Sequence, residues 1–492
     1  PWIHFPLGLM KALGDERIEW RLPTEPEPAM AGRRIPSPRG KVLGGTSAMN
    51  GMVYIRGQAE DYDAWAAAGC SGWGWADVLP WFVRAEANAA IGGPRHGRDG
   101  PLRVSSPQRG DALCEAIVAA GRGLGWPAND DFNGASQAGI GWYQHTLADG
   151  RRSTAWRGYL HGRPLPGLEV RHGTPVRRIV FDSAADGAPR AAGVLALVQG
   201  AERRLVARRE VIVCAGSYHS PQLLQVSGIG DPAHLASLGV PVVAAAPAVG
   251  ENLQDHIQAR VRFTLNRPLG LNVLYHRPLH LAGELLRFAL LRQGRCMAPP
   301  IRTGAFVRGD GAPGRPDLQF HFIEFTSTGM GQPPHREPGF WASVCALRPA
   351  SRGRVAARTP AMADAPSIVG HYLADERDAQ LTLAGVRLAR ALAQQPPLAG
   401  LVEAEADPGT ALRDDAALLD WIRATAVTVY HPVGTCRMGG DAGSVVDPQL
   451  RVRGVQGLRV ADASVMPMLV SGNTNAPATM IGERAADLVR RG

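Results

Sequence analysis

The stretch Val211-Ile-Val-Cys-Ala-Gly216-Ser-Tyr-His-Ser220-Pro221 decides the fold class. Its apolar run is too short for a helix and ends in glycine. A helix start follows, with Ser220 as the expected N-cap and Pro221 as the first helical residue. Strand, glycine and helix start together present backbone N–H groups to a cofactor at the carboxyl end of a parallel sheet. An ordinary βα unit reads equally well from this stretch alone.

Outward from it the α/β pattern persists. Residues 168–181 hold β-branched runs, and residues 193–198 and 204–206 flank a Gly-Ala-Glu turn, which predicts a hairpin. Gly457-Leu-Arg-Val-Ala-Asp462 is a second short apolar strand, ending in an acid. Residues 476–491 predict a helix with Ile481, Ala485 and Leu488 on one face and Asn473 and Asn475 as polar caps before it. Between about residues 257 and 424 the character changes. Leu318, Phe320 and Phe322 alternate as in a half-buried strand. Leu381, Ala384, Gly385, Leu388, Ala391 and Leu392 fall at helical spacing, as for a helix lying on a sheet. The fold class is therefore α/β plus α+β: a doubly wound domain and a second domain of antiparallel sheet backed by helices.

The 492 residues, 45% of them hydrophobic, are too many for one ordinary domain and exclude global disorder. The net charge is +9, carried by arginines spread along the chain; Lys11 and Lys41 are the lysines. A nucleic-acid footprint would be a clustered stripe, so no nucleic-acid partner is expected. Cys70, Cys114, Cys214, Cys296, Cys345 and Cys436 form no C-x-x-C and read as reduced, mostly buried thiols. No apolar run of about 18 residues exists, so no transmembrane segment is expected. The expected location is the cytoplasm, with peripheral attachment to the inner membrane as the alternative.

His431 sits in Val429-Tyr-His-Pro-Val-Gly-Thr-Cys-Arg-Met-Gly439, a constrained segment that can aim an imidazole as a general base. For one histidine without context, a structural role is the stronger reading. Asn473-Thr-Asn475 opens the last helix, whose start would stabilise negative charge. The block Gly40-Lys-Val-Leu-Gly-Gly-Thr-Ser-Ala-Met-Asn-Gly51 is rich in small residues that let backbone approach a ligand closely. There is no G-x-S-x-G, H-E-x-x-H, Walker motif or complete G-x-G-x-x-G. His276 and His280 lack a carboxylate partner and predict no metal site.

Together these blocks resemble the glucose–methanol–choline oxidoreductase family of flavoproteins nearly end to end. The resemblance rests on residues 40–51, on Gly216-Ser-Tyr-His-Ser-Pro-Gln-Leu-Leu-Gln-Val-Ser-Gly-Ile-Gly230 and on Val249-Gly-Glu-Asn-Leu-Gln-Asp-His256. The Tyr430-His-Pro-Val-Gly-Thr435 block and residues 457–487 complete it. It is similar above all to choline dehydrogenase-like and other primary-alcohol dehydrogenases of bacteria. The resemblance implies FAD on the doubly wound domain (residues 1–60, 165–256 and 425–492) and a substrate domain (residues 61–164 and 257–424). In some members the flavin is bonded to a histidine of the first signature; Met49 stands there, so noncovalent FAD is expected.

Carried over by position, His431 matches the active-site histidine and Asn473 its partner. Gly44, Gly45, Thr46, Asn50, Gly51, Met52 and Val53 would line the flavin, Val176, Ala215 and Gly216 the adenosine end, and Asp462 and Ala463 the pyrophosphate and ribityl chain. The helix beginning near Asn475 would offset charge on the reduced flavin. The implied reaction is oxidation of a primary alcohol to an aldehyde: His431 takes the hydroxyl proton and hydride passes to flavin N5. The electron acceptor is a quinone, another carrier or oxygen. The alternatives are a hydroxynitrile-lyase-type member and an inactive truncated homologue. The family opens with a strand–Gly-x-Gly-x-x-Gly–helix–strand unit that this sequence begins after, so that either the sequence is a fragment or the protein is truncated; for a truncated protein weak FAD binding and an exposed sheet edge are expected. For a choline-like substrate, Glu324, Phe325 and Trp341 are candidates for an ammonium cage, with His335 nearby; a small aliphatic or aromatic alcohol is preferred.

Overall fold

The computed structural model describes residues 3–8, 14–291, 294–295, 299–329 and 331–492. Pro1, Trp2, Lys11 and Cys296, which entered the sequence reading, lie outside the described residues.

In chain order, the elements that build the site are α1 (Ala59–Ala67), α2 (Trp75–Ala85), α3 (Ala112–Gly123), β1 (Gly139–Trp142), β2 (Val176–Ser183), β3 (Pro189–Val198), β4 (Ala201–Val206) and β5 (Val211–Val213). Next come α4 (Gly216–Val226), β6 (Ile257–Leu265), β7 (Ile301–Val307), β8 (Leu318–Ile323), β9 (Gly339–Ala346), α5 (Glu376–Ala393), β10 (Val402–Asp407), α6 (Asp415–Thr425), β11 (Leu458–Val460) and α7 (Asn475–Arg491).

The large sheet runs β10–β6–β9–β8–β7–β1 and ends on the short strand Ala128–Asn129. Its labelled strands pair antiparallel; Ala128–Asn129 joins β1 in parallel. One face is apolar. Phe320 and Phe322 stack 5.7 Å apart and join Phe263 and Phe340 in a core covered by α3, α5 and α6. Each such ring removed from water contributes on the order of 2–3 kcal/mol. The alternation in residues 318–322 is real, but the half-buried reading is corrected: every residue of β8 is buried. Its second face, bearing Gln319 and His321, is roofed by Asn473 from the other half of the molecule.

Helix α5 forms where expected, on a rotated face. Thr382, Leu383, Val386 and Ala389 are buried, whereas Leu381, Ala384, Leu388 and Ala391 are only partly so. The reason is Gly385, which presses the helix onto β9; a Cβ there would lie 2.6 Å from a methyl of Val344.

The second core gathers the parallel pair β5–β11, the meander β2–β3–β4, and helices α4 and α7, with Trp65, Trp73 and Phe82 of the α1–α2 region packed against Met480 and Ile481. The predicted hairpin is present, closing at Val198 opposite Ala201. The first strand starts only at Val176; Leu168 and Val170 are exposed in irregular chain.

Helix α4 begins at Gly216 rather than at Pro221. Pro221 lies inside it and gives no N–H to the carbonyl of Ser217. That carbonyl instead accepts from Thr435 Oγ1 at 2.6 Å, so the interior proline ties the helix to the loop after His431. Ser220 is not a cap; its hydroxyl donates to Asp462. Among the described residues no helix is long and apolar enough to cross a membrane. The described cysteines are free, and Cys214 alone among them is exposed.

Candidate functional site

A cavity of about 1750 Å³ runs between the two cores. Ordinary ligand pockets occupy roughly 300–1,000 Å³, so this one has room for a dinucleotide and a small substrate together. All the catalytic and cofactor residues carried over from the resemblance line it: His431 and Asn473, the run Gly44, Gly45, Thr46, Asn50, Gly51, Met52 and Val53, then Val176, Ala215, Gly216, Asp462, Ala463 and Asn475.

The glycine-rich loop folds tightly on itself. A Cβ on Gly40 would sit 2.3 Å from the carbonyl oxygen of Gly45, while Gly44 adopts φ +91°. Ser47 donates to the Gly44 carbonyl at 2.6 Å and accepts from the Ala155 amide. Beneath the loop, the buried guanidinium of Arg152 donates to the backbone and side-chain oxygens of Asn50, each at 2.6 Å. Burial pulls Arg152 down to about 9.

At the parallel strands, one carboxylate joins both chain segments. Asp462, just past β11, accepts from the Gly216 amide at 2.9 Å and the Ser220 hydroxyl at 2.6 Å through Oδ2, and from the Ser464 amide through Oδ1. An acid at the start of α4 is favoured by the free N–H groups and the helix dipole.

His431 is held from three sides. Its amide donates to Asp255 Oδ1 at 2.8 Å, and Asp255 also accepts from Tyr372 and Thr428. Its Nδ1 lies 3.0 Å from His256 Nδ1, and its Nε2 lies 3.2 Å from Asn473 Nδ2. Burial, with His256, His321 and Arg39 nearby, holds the imidazole well below its ordinary value.

The hydrogen-bond polarity of this network is fixed at both ends by backbone carbonyls, which only accept. At one end, the Leu347 carbonyl lies 2.9 Å from His256 Nε2, so that nitrogen carries a proton. Burial pulls His256 down to about 4, so the ring is neutral and its Nδ1 accepts. His431 Nδ1 must then donate. At the other end, the Phe320 carbonyl takes the Tyr143 hydroxyl proton at 2.6 Å, so Tyr143 accepts from Gln319 Nε2. Gln319 Nε2 also donates to Asn473 Oδ1 at 3.1 Å, which turns the Asn473 amide N–H toward His431. Both chains of bonds require the same tautomer: His431 protonated on Nδ1, with the lone pair on Nε2 turned to the Asn473 N–H at the cavity wall.

Three sequence readings are corrected here. Asn473 and Asn475 do not cap α7; the residue in the cap position is Thr474, without a side-chain bond, and the Asn473 amide is engaged with His431. Glu324 belongs to no ammonium cage: it is fully buried and bound by Arg302, which also pairs with Asp111 at 2.8 Å. That guanidinium already occupies the cluster of Asp111, Cys114 and Glu324, pairing with both of its carboxyl groups. His335 bonds Thr326 rather than reaching His431, and His276 bonds the Pro334 carbonyl. Phe325 and Trp341 do line the cavity.

Sequence reasoning passed over Asp255 and His256 as site residues although it quoted their block, and passed over Gln319 and His321 on the second face of the strand it described. A polar residue alternating with phenylalanines was the available signal.

Residues 26–258 and 349–482 match the N-terminal and C-terminal profiles of GMC oxidoreductases. The chain belongs to the GMC oxidoreductase family. Among its relatives, human mitochondrial choline dehydrogenase is 38% identical over 491 residues, covering 99% of this chain and 82% of the relative. The alcohol dehydrogenase [acceptor] of Pseudomonas putida is 37% identical, covering 100% and 89%. An oxygen-dependent choline dehydrogenase of Stenotrophomonas maltophilia is 40% identical, covering 99% and 87%. Among solved structures, pyridoxine 4-oxidase from Mesorbium loti superimposes with a TM-score of 0.89 at 28% identity, covering 100% of this chain and 92% of that one.

GMC oxidoreductases are FAD enzymes acting on CH–OH donors, and FAD is the cofactor here. The cavity fits it. The tight loop, the start of α4 and the start of α7 all open onto it, and Lys41, Arg163 and Arg177 on its wall supply charge for a diphosphate.

Proposed function

We propose that this GMC oxidoreductase oxidises a primary alcohol to an aldehyde, with His431 as the base and Asn473 as its partner. The observation that carries the reading is the enforced lone pair on His431 Nε2 beside the Asn473 N–H. An alcohol oxygen that takes the place of their mutual 3.2 Å contact gives its proton to Nε2 while accepting from Nδ2. FAD, when bound, supplies the acceptor for the hydride leaving the carbinol carbon. The residues of the chain supply position and charge. Asp255 and His256 fix the base, and the start of α7 offsets negative charge facing it. The loop residues 44–53, with Val176, Ala215, Gly216, Asp462 and Ala463, would hold the cofactor. Met49 on the cavity wall supports noncovalent attachment, which release of free flavin on denaturation would verify. The two cores favour two domains with a boundary other than the one set out from the sequence: Tyr62, Trp65, Trp73, Val78 and Phe82 pack with the cofactor core, and Met30 and Ile35 with the sheet core.

The reading is tested by mixing the flavin-loaded enzyme anaerobically with a primary alcohol. Flavin bleaching is expected, followed by reoxidation with oxygen, the acceptor suggested by the oxygen-dependent relatives, or with a quinone. His431→Ala should lower the bleaching rate by orders of magnitude with FAD retained; a rate within a few-fold of the parent would remove His431 as the base.

A further inference from the structure

We infer that the alcohol this enzyme takes carries a negatively charged group, a carboxylate or a phosphate, and that Arg260 holds it. The inference rests on the alcohol-oxidation reading and names the substrate class for the same cavity.

Pairing across β6, β9 and β8 sets side chains in lateral rows on the cavity face. One row is Gln258, Cys345 and Gln319; the next is Arg260, Ser343 and His321; the next is Arg262, Trp341 and Ile323. Gln319 and His321 touch Asn473, so the first two rows lie beside the reacting pair. Arg260 is thus two strands across from His321, about 10 Å along the sheet at the usual strand spacing.

Arg260 lines the cavity, its Nε is buried without a hydrogen-bond partner, and no ion pair joins it to a carboxylate among the described residues. Its remaining polar neighbour is the buried Tyr430 phenol. Gln258 beside it is neutral and held by the protein at both ends: its amide donates to the Thr428 carbonyl and its oxygen accepts from Ser343.

The carboxylates on the cavity wall are Asp364, Asp462 and Glu483, and none is on this sheet. Asp462 is taken by α4, Glu483 accepts from Tyr159 at 2.7 Å, and Asp364 accepts from Thr359. Glu324 is turned to Arg302. The substrate wall therefore offers a cation and the apolar Ile323, Phe325 and Trp341, with no anion. Arg260 is half-buried with its Nε shut off from water, and a guanidinium so placed without a counter-ion would gain from a substrate anion. A quaternary ammonium would be repelled. An anionic head on an apolar chain ending in a primary alcohol matches all three features.

The test compares kcat/KM for an ω-hydroxyalkanoate, an ω-hydroxyalkyl phosphate, the alkanol of the same length and choline. With the parent enzyme, at least one of the two anions should exceed the alkanol by about 10-fold or more, and choline should rank last; whichever anion is faster identifies the head group. In Arg260→Gln the ratio of anion to alkanol should fall on the order of 10- to 100-fold, the range of a hydrogen bond to a charged group. Arg260→Lys should keep most of the ratio, and Arg260→Glu should invert it toward choline; these two keep the test alive if the glutamine variant does not fold. Choline ranking with or above the anions, or a ratio that Arg260→Gln leaves unchanged, would overturn the inference. Failure of every alcohol to bleach the flavin would instead overturn the alcohol-oxidation reading itself.

Discussion

His256 and His431 meet nitrogen to nitrogen, Nδ1 to Nδ1 at 3.0 Å, with their rings at 85° to each other. Two neutral imidazoles can share this contact only if one donates and the other accepts, and the Leu347 carbonyl decides which. His256 is therefore a positioning residue: it touches no substrate, yet it sets where the proton on His431 resides.

Replacing His256 separates that role from packing. His256→Ala leaves the buried Nδ1–H of His431 without a partner, at a cost of about 1–3 kcal/mol, and removes one of the two contacts that keep the proton off Nε2, where it would end the ring's action as a base. The rate of flavin bleaching by alcohol should fall about 10- to 100-fold with FAD content unchanged, and the acid limb of the pH profile should move upward as the imidazole gains water. His256→Gln offers a donor for Leu347 and an acceptor for His431 in the same order, and should restore the rate to within a few-fold. Equal losses in the two variants would show that only the volume of the ring matters.

Asp462 makes a different prediction, because its carboxylate joins β11 to the start of α4. Asp462→Ala removes an acceptor from the Gly216 amide, the Ser220 hydroxyl and the Ser464 amide at once. A loss of about 2–4 kcal/mol is expected from hydrogen bonds to a charged group and the lost helix-dipole contact. Thermal melting should show it, and the flavin-to-protein absorbance ratio after gel filtration should fall with it. An unchanged ratio would place Asp462 in the scaffold alone.

The legible parts of the sequence were those written in local pattern. The hairpin of β3 and β4, the short apolar strands β5 and β11 and the alternating β8 follow from runs of a few residues, and so does the existence of α5 and α7. What escaped was decided over long separations. The start of α4 moved five residues because Thr435, far along the chain, satisfies the carbonyl that Pro221 leaves open. Asn473 looked like a cap because asparagine before a helix usually is one; Gln319 and His431 claim its amide instead. His256 stands within the block of residues 249–256, but only the strand β6 that follows it, and the pairing that brings Leu347 beside it, reveal what the ring does.

The histidines also set how stability depends on pH. Burial pulls His145, His219, His256 and His321 down to about 4, and His431 well below its ordinary value. In the unfolded chain these rings titrate near 6.5. Below that pH the unfolded state binds protons the folded state refuses, so stability present above about 6.5 is lost as the pH falls toward 4, at up to about 1.4 kcal/mol per pH unit for each ring. His96 works in the opposite direction. Burial opposes its charge, but hydrogen bonds to Asp131 at 2.9 Å and to Glu86 at 3.1 Å outweigh that and raise it to about 9. Its contribution is complete below about 6.5 and is lost as the pH rises through 9. The melting temperature should therefore peak near neutrality and fall on both sides, as followed by thermal denaturation across a pH series. His96→Gln should flatten the alkaline limb and leave the acid limb in place, while His256→Gln should reduce the acid slope alone. Parallel changes in both limbs from either variant would mean that other groups govern the profile.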